Sequence, residues 1–342
     1  MRIGILTGGG DSSGINAAIR AVVRRGAAQG DEIIGIRNGW LGLLEGDVLE
    51  IKAPDVSGIL PRGGTILGTS RTNPFKIEGG VERIAATVHA SRLEAIVAIG
   101  GDDTLGVCHK INGLPQPIHG VGIPQTIDND IEGTDFAIGF DSAVAIATDA
   151  CGKLHTTAES HHRIMVLEVM GRDSGHVALE SGIAGGADII LVPEEPFQIE
   201  HVASRVRDRL ARGKLFSIVI VAEGASPVGT EQISRGEVKD AFGHVMLGGI
   251  GEHVAGELQR LTGIEARVTV LGHLQRGGYA SPFDRLLATR LGVAAVDLLH
   301  KGAWDRMVAI RGREITDVPL EAALNRHKPI DKSLYEMAKL FY

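Results

Sequence analysis

Short, almost unbroken runs of Ile, Val, Leu and Ala recur along the chain, each followed by a turn and a longer amphipathic stretch. The runs are RIGILTG (2–8), DEIIGIR (31–37), EAIVAIG (94–100), IHGVGIP (118–124), RIMVLEVM (163–170), DIILVP (188–193), FSIVIVAE (216–223) and ARVTVLG (266–272). A strand with one wet face alternates apolar and polar residues. A strand covered on both faces need not, so these runs predict buried parallel strands. Helices are expected between them, at 14–28, 80–91, 104–112, 141–159, 175–184, 201–212, 249–262 and 281–300. Strands alternating with helices predict a doubly wound α/β fold with mainly parallel sheets. This many units would also fit a closed barrel, but the irregular spacing and the long stretch 38–79 favour open sheets. A length of 342 residues fits two domains.

Open parallel sheets bind ligands at the carboxyl ends of their strands. Here those ends carry GGGDSSG, GGDDT, PQTIDND, MGRDSGH, EGAS and GHLQRGG, which are rich in Gly, Asp, Arg and His. The net charge of −7 argues against a nucleic-acid partner, which calls for a basic footprint. No apolar stretch approaches a membrane span, and the N-terminus runs straight into a strand with no signal peptide. Two cysteines, Cys108 and Cys151, have no metal-like spacing, so a reducing, cytoplasmic setting is expected. The segment 225–248 reads as an irregular insertion, and no internal repeat is visible.

LTGGGDSSGINAAIR (6–20) is strand, glycine turn, helix. Gly9 and Gly14 have the P-loop spacing, yet Ile15 and Asn16 stand where that motif needs Lys and Ser/Thr. The dinucleotide fingerprint fails too, because Ser13 holds its last glycine position. What survives is a phosphate site of backbone N–H groups at a helix N-terminus, with an ordinary strand–helix turn as the plain alternative. GGDDT places two carboxylates in such a loop, and carboxylates tolerate phosphate only with a metal between them. TIDND (126–130) is either an Asx-rich turn or a general base with metal-site helpers. Arginines and a histidine after strands, in HLQRGG and EVMGR and at Arg163 and Arg267, suit a phosphate clamp. His155, His161 and His162 lack the companions of a metal site.

In this order, LTGGGDSSGINAAIR, RGGTILGTSR, GGDDT, PQTIDND, HHRIMVLEVMGRDSGH, AEG and ARVTVLGHLQRGG resemble the phosphofructokinase family over most of the chain. The resemblance implies two α/β domains with the active site in the cleft between them. A donor and Mg²⁺ domain would take 1–139 plus about 275–326. A sugar-phosphate domain would take about 140–274 plus 327–342. It implies phosphoryl transfer to the 1-hydroxyl of fructose 6-phosphate. Asp128 then resembles the base, Asp102 the Mg²⁺ residue, Arg172 the arginine near the transferring group, and Thr126 and Asp130 their neighbours. Gly10, Arg71, Asp103, Thr104 and Gln125 would meet the donor, and Met170, Gly171, Glu223, His273 and Arg276 the sugar phosphate. Arg163 and Arg267 resemble arginines that reach a neighbouring active site, which implies a homodimer or homotetramer.

Two positions bear on the donor. ATP-using members of the family carry glycine where Asp103 stands, and pyrophosphate-using members carry Asp. Two unit charges ~4 Å apart repel by about 4 kcal/mol at an effective dielectric of 20, so Asp103 disfavours the α-phosphate of a longer donor. Gln125 is neither the glycine of ATP enzymes nor the lysine of pyrophosphate enzymes. Pyrophosphate is therefore the expected donor, with an ATP-dependent phosphofructokinase and an inactive sugar-phosphate sensor as alternatives. Sedoheptulose 7-phosphate stays open as a second acceptor. Arg20, Arg24, Arg212 and Lys214 match basic effector-site positions, but Ala53 and His155 replace further arginines.

Overall fold

Each apolar run forms a strand. In chain order the elements are β1 (Arg2–Thr7), α1 (Ile15–Gln29), β2 (Glu32–Ile36), α2 (Trp40–Glu45), β3 (Val48–Ile51), α3 (Gly80–Ala90), β4 (Ala95–Gly100), α4 (Asp102–Asn112), β5 (Gly120–Pro124) and α5 (Phe140–His161). Then come β6 (Ile164–Val169), α6 (His176–Gly185), β7 (Ile189–Leu191), α7 (Ile199–Ala211), β8 (Ser217–Ala222), β9 (Ser234–Lys239), β10 (Val245–Leu247), α8 (Ile250–Thr262) and β11 (Ala266–Val270). The chain ends with α9 (Pro282–His300), β12 (Arg306–Arg311), β13 (Glu314–Pro319), α10 (Leu320–Leu324) and α11 (Lys332–Lys339). The computed structural model describes residues 1–230, 232, 234–239, 245–324 and 326–342. Two compact units emerge, Met1–Ser142 with Arg276–Lys328, and Ala143–Gln275 with Pro329–Tyr342.

The first unit holds a seven-stranded sheet in the order β13-β12-β5-β4-β1-β2-β3. Its centre is parallel, and only the outer strands β3 and β13 run antiparallel to their neighbours. One face buries Ile3, Ile5, Val97 and Ile99 against Ile19 of α1 and Leu291 of α9. The other buries Leu6, Ile34, Ile36 and Ile96 with Trp40 of α2, Ile84 of α3 and Leu105 of α4. Each such side chain contributes about 1.5–3 kcal/mol by leaving water, which is why these strands have no polar face. From β1 the chain crosses to β2 on one side, and from β4 to β5 on the other. The connections diverge between β1 and β4, the switch point at whose carboxyl ends open parallel sheets bind ligands.

The second unit has a parallel four-stranded sheet, β11-β6-β8-β7. Val166, Val219 and Val221 pack against Val202 and Val206 of α7 and Val254 and Leu258 of α8. The expected irregular insertion at 225–248 contains the antiparallel pair β9–β10. Its residues 231, 233 and 240–244 lie outside the described residues.

One boundary differs from expectation in a way that matters for the site. The helix expected from residue 104 begins at Asp102, so both acids of GGDDT sit in the first turn of α4. Carboxylates there are favoured by the positive end of the helix dipole and by the unpaired N–H groups of the first turn. Among the described residues no helix is long and apolar enough to cross a membrane.

Candidate active site

In the first unit the carboxyl ends of three neighbouring strands, β5, β4 and β1, carry the expected donor and metal residues. Gly10 follows β1 in the glycine turn that leads into α1. Residues 69–70 run against that turn: Gly9 N–H donates to the Ser70 carbonyl at 3.0 Å, and Thr69 Oγ1 donates to the Gly9 carbonyl at 2.8 Å. This pairing brings exposed Arg71 to the turn from the side. Arg276, grouped by sequence with the sugar-phosphate residues, belongs to this unit, and its Nη1 donates to the Asp11 carbonyl at 2.9 Å. A Cβ on Gly10 would stand 2.6 Å from Nη1, so any larger residue would push the guanidinium from this position.

Beyond β4, Asp102 is half-buried and Asp103 is exposed. Thr104 turns inward and is 3% exposed. It fills the space that glycine leaves at positions 8 and 100, where added Cβ atoms would come within 2.6 Å of it. Its side chain thus packs the ends of β1 and β4 together.

Beyond β5, Gln125 is buried, and its Nε2 donates to Ser12 Oγ at 2.9 Å. The amide is therefore engaged inside the protein. Thr126 Oγ1 accepts from the Asp128 backbone N–H at 3.1 Å, a local turn that shapes the loop. Asn129 adopts a left-handed conformation (φ 52°), which asparagine tolerates better than most residues. Its side chain donates to the Asp135 carbonyl at 3.1 Å and accepts from Ala137 N–H at 2.9 Å. Asn129 is thus the buried pin of the TIDND loop, with half-buried Asp128 and Asp130 on either side.

A residue that sequence reasoning missed completes this group. His327 Nδ1 lies 3.4 Å from an oxygen of Asp130 and 3.7 Å from one of Asp102. One ligand atom from each of Asp102, Asp130 and His327 falls within 4.8 Å of the others, and among the described residues no other His, Cys, Asp and Glu side chains gather in this way. His155 instead bonds the Gly185 carbonyl through Nε2 at 2.9 Å. Burial, and then the facing charge of Asp130, push the Asp102 carboxyl up to about 6, while His327 pulls the other way. A lone histidine among charged residues in NRHKP offers no spacing signal. The sequence placed residue 327 with the other domain, but 327 and 328 join the first unit.

In the second unit the ends of β11, β6 and β8 are again neighbours. His273 follows β11, Met170, Gly171 and Arg172 follow β6, and Glu223 follows β8. Glu223 N–H donates to the Val169 carbonyl and Gly224 N–H to the Gly171 carbonyl, at 2.9 and 3.0 Å. Gln275, 1% exposed and also missed by sequence, accepts from Met170 N–H at 3.3 Å and donates to the Gly272 carbonyl at 3.1 Å. It ties the end of β6 to the HLQRGG turn. Arg163 and Arg267 share one partner: Arg163 Nε donates to Glu265 at 2.6 Å, and Arg267 pairs with the other oxygen of the same carboxylate. Contrary to the expectation from sequence, neither follows a strand: Arg163 directly precedes β6 and Arg267 is the second residue of the edge strand β11, so both stand at the amino ends of these paired strands.

The chain, searched against family models, matches the one described as phosphofructokinase over residues 2–299. It belongs to the phosphofructokinase family. It is 51% identical to a pyrophosphate–fructose 6-phosphate 1-phosphotransferase of Streptomyces coelicolor, with all of both chains covered. It is 48% identical to an ATP-dependent 6-phosphofructokinase 3 of the same organism, with 99% of each covered. Among solved structures, a pyrophosphate-dependent phosphofructokinase from Marinobacter aquaeolei has the same fold, with a TM-score of 0.84 and 24% identity over 97% of this chain and 86% of that one. Phosphofructokinase relatives named for either donor thus resemble the chain along its whole length, three named for pyrophosphate at 50–52% identity and the ATP-dependent one at 48%.

Proposed function

We propose that this phosphofructokinase transfers a phosphoryl group from pyrophosphate to the 1-hydroxyl of fructose 6-phosphate, reversibly, giving fructose 1,6-bisphosphate and phosphate. The observation that carries the donor assignment is Asp103, an exposed carboxylate in the first turn of α4 beside Asp102. Pyrophosphate ends at two phosphates. A nucleoside triphosphate must run a third phosphate past that carboxylate, against its charge. Gln125, buried and bonded to Ser12, brings no cation to the donor, so Arg71 and Arg276 at the glycine turn supply it.

Asp128 accepts the proton of the sugar 1-hydroxyl as that oxygen attacks the donor phosphorus, and Thr126 and Asn129 hold its loop in shape. Asp102 and Asp130 hold the divalent ion, Mg²⁺, for which two facing carboxylate oxygens are a fitting donor set. An ion held there would offset charge on the donor phosphates. Backbone N–H groups around Gly10 meet those phosphates. Arg172 stabilises charge on the transferring group. Met170, Gly171, Glu223 and His273 hold the sugar phosphate. Arg163 and Arg267, set side by side by Glu265, reach the active site of a neighbouring copy, so the working form is a homodimer or homotetramer. Two buried free thiols suit a reducing cytoplasm.

The test is a comparison of kcat/KM for pyrophosphate and ATP with saturating fructose 6-phosphate and Mg²⁺, repeated with sedoheptulose 7-phosphate as acceptor. Pyrophosphate supports rapid formation of fructose 1,6-bisphosphate and ATP little. The second reading, an ATP-dependent 6-phosphofructokinase, is the one favoured by the 48% identical relative, and turnover with ATP but not pyrophosphate would establish it.

A further inference from the structure

We infer that His327 is a third ligand of the divalent ion at Asp102 and Asp130, and that this imidazole turns the site toward first-row transition ions over Mg²⁺. The inference rests on the reading of Asp102 as the metal residue and adds to it a nitrogen donor from a distant part of the chain, beyond residues 2–299 that match the family.

The backbone puts the imidazole there. His327 forms an isolated antiparallel bridge with Ile131, directly after Asp130. Next to it, Lys328 N–H donates to the Asp130 carbonyl at 2.7 Å. The Lys328 ammonium donates to the carbonyls of Thr134 and Asp135 at 3.0 and 2.9 Å. The strap is thus bonded along the loop that carries Asp128 and Asp130, and the His327 ring projects toward the two carboxylates with Nδ1 as its near atom. The two acids come from different elements: Asp102 from the first turn of α4, and Asp130 from the loop that Asn129 pins and the strap is bonded to. A cation between the three would satisfy two facing carboxylates at once and take the imidazole lone pair.

The donor set decides which cation gains most. Mg²⁺ prefers oxygen and holds its waters tightly, so an imidazole adds little to its binding. Mn²⁺ and Co²⁺ keep the same octahedral geometry and accept nitrogen, with Co²⁺ ahead of Mn²⁺ in the usual affinity order. The site therefore binds Co²⁺ more tightly than Mn²⁺ and Mn²⁺ more tightly than Mg²⁺, and His327 accounts for most of that spread.

Binding of each metal alone to the purified full chain tests this, with Mn²⁺ followed by electron paramagnetic resonance with and without inorganic pyrophosphate. Bound Mn²⁺ in the unaltered protein shows the spin-echo modulation of a directly coordinated ¹⁴N, and His327→Ala removes it. The same variant loses about tenfold or more in Mn²⁺ and Co²⁺ affinity and less than about threefold in Mg²⁺ affinity. Asp102→Asn weakens all three ions, which tests the underlying metal reading separately. Bound Mn²⁺ without nitrogen coupling in either condition, or an unchanged spread between the Mg²⁺ affinity and the Mn²⁺ and Co²⁺ affinities in His327→Ala, overturns the role of His327. Full retention of metal binding by Asp102→Asn, or no metal binding by the unaltered chain, overturns the metal reading and the inference together.

Discussion

Asp102, Asp103 and Asp128 are three acids within one short reach of sequence, and their surroundings separate them. Asp102 faces Asp130 and His327, Asp103 faces solvent, and Asp128 sits in the loop pinned by Asn129. Replacing Asp128 by Ser removes the proposed proton acceptor and is expected to lower kcat by about 10²–10⁴, with KM for fructose 6-phosphate nearly unchanged in steady-state kinetics. Near-normal kcat would place the base elsewhere. A fourth acid serves the fold. Asp284 on α9 is fully buried and accepts from Gly139 N–H at 3.0 Å, Ser142 N–H at 2.8 Å and Ser142 Oγ at 2.6 Å, capping the start of α5. Burial pushes its carboxyl from 3.8 up to about 6, against the pull of those hydrogen bonds. Between those values the folded chain holds a proton that the unfolded chain has released. This group's stabilising contribution is therefore complete below about pH 4 and is lost as pH rises through about 6. Asp284→Asn has no such proton, so the stability difference between the two proteins shifts against the unaltered chain by the order of 3 kcal/mol over that range. Parallel denaturant titrations at pH 4 and pH 6.5 measure it, and a pH-independent difference would count against it.

At the scale of elements, the edge strand β7 is covered by the end of the chain. Tyr342 Oη accepts from Ile190 N–H at 3.1 Å, and Tyr335 Oη donates to the Ile190 carbonyl at 3.2 Å. Burial raises both phenols, Tyr342 to about 12, so they remain neutral donors. Exposed edge strands invite pairing with other chains, and the two hydroxyls occupy the groups that would do so. Tyr342→Phe costs about 1 kcal/mol and speeds hydrogen exchange at the Ile190 amide, while amides of β8 keep their protection. Equal protection at Ile190 in both proteins would refute the cap. This contact was not visible in the sequence, because LYEMAKLFY reads only as an amphipathic end. The central strands were visible, since burial on both faces forces runs such as EAIVAI. The outer hairpin β12–β13 was not, because EITDVP mixes polar and apolar residues as a half-exposed edge strand does. The start of α4 was read two residues late because paired acids after glycines look like a loop until the helix dipole is weighed. The glycine, GGDDT and TIDND loops were legible because chemistry clusters at strand ends, whereas His327 and Gln275 take their places only through tertiary contacts.

At the scale of the molecule, each unit gathers most of its candidate residues at the carboxyl ends of three adjacent parallel strands, β1, β4 and β5 in one and β6, β8 and β11 in the other, while Arg163 and Arg267 stand at the amino ends of β6 and β11. In the proposed function Arg163 and Arg267, paired through Glu265, serve the active site of a second copy. If each active site takes Asp128 from one copy and Arg267 from its neighbour, inactive Asp128→Ser and inactive Arg267→Ala chains, mixed equally and reassembled, regain about a quarter of full activity, as random pairing leaves that share of sites intact. No recovery in exchanged mixtures would confine the site to one copy. In the proposed function, Asp103 limits the length of the phosphoryl donor. Phosphorus NMR of one reaction containing equal pyrophosphate and ATP with fructose 6-phosphate and Mg²⁺ measures it directly. Fructose 1,6-bisphosphate is expected to appear with inorganic phosphate while ATP stays intact, and Asp103→Gly to shift consumption toward ATP. ADP rising in step with fructose 1,6-bisphosphate in the unaltered protein, with pyrophosphate untouched, would contradict it.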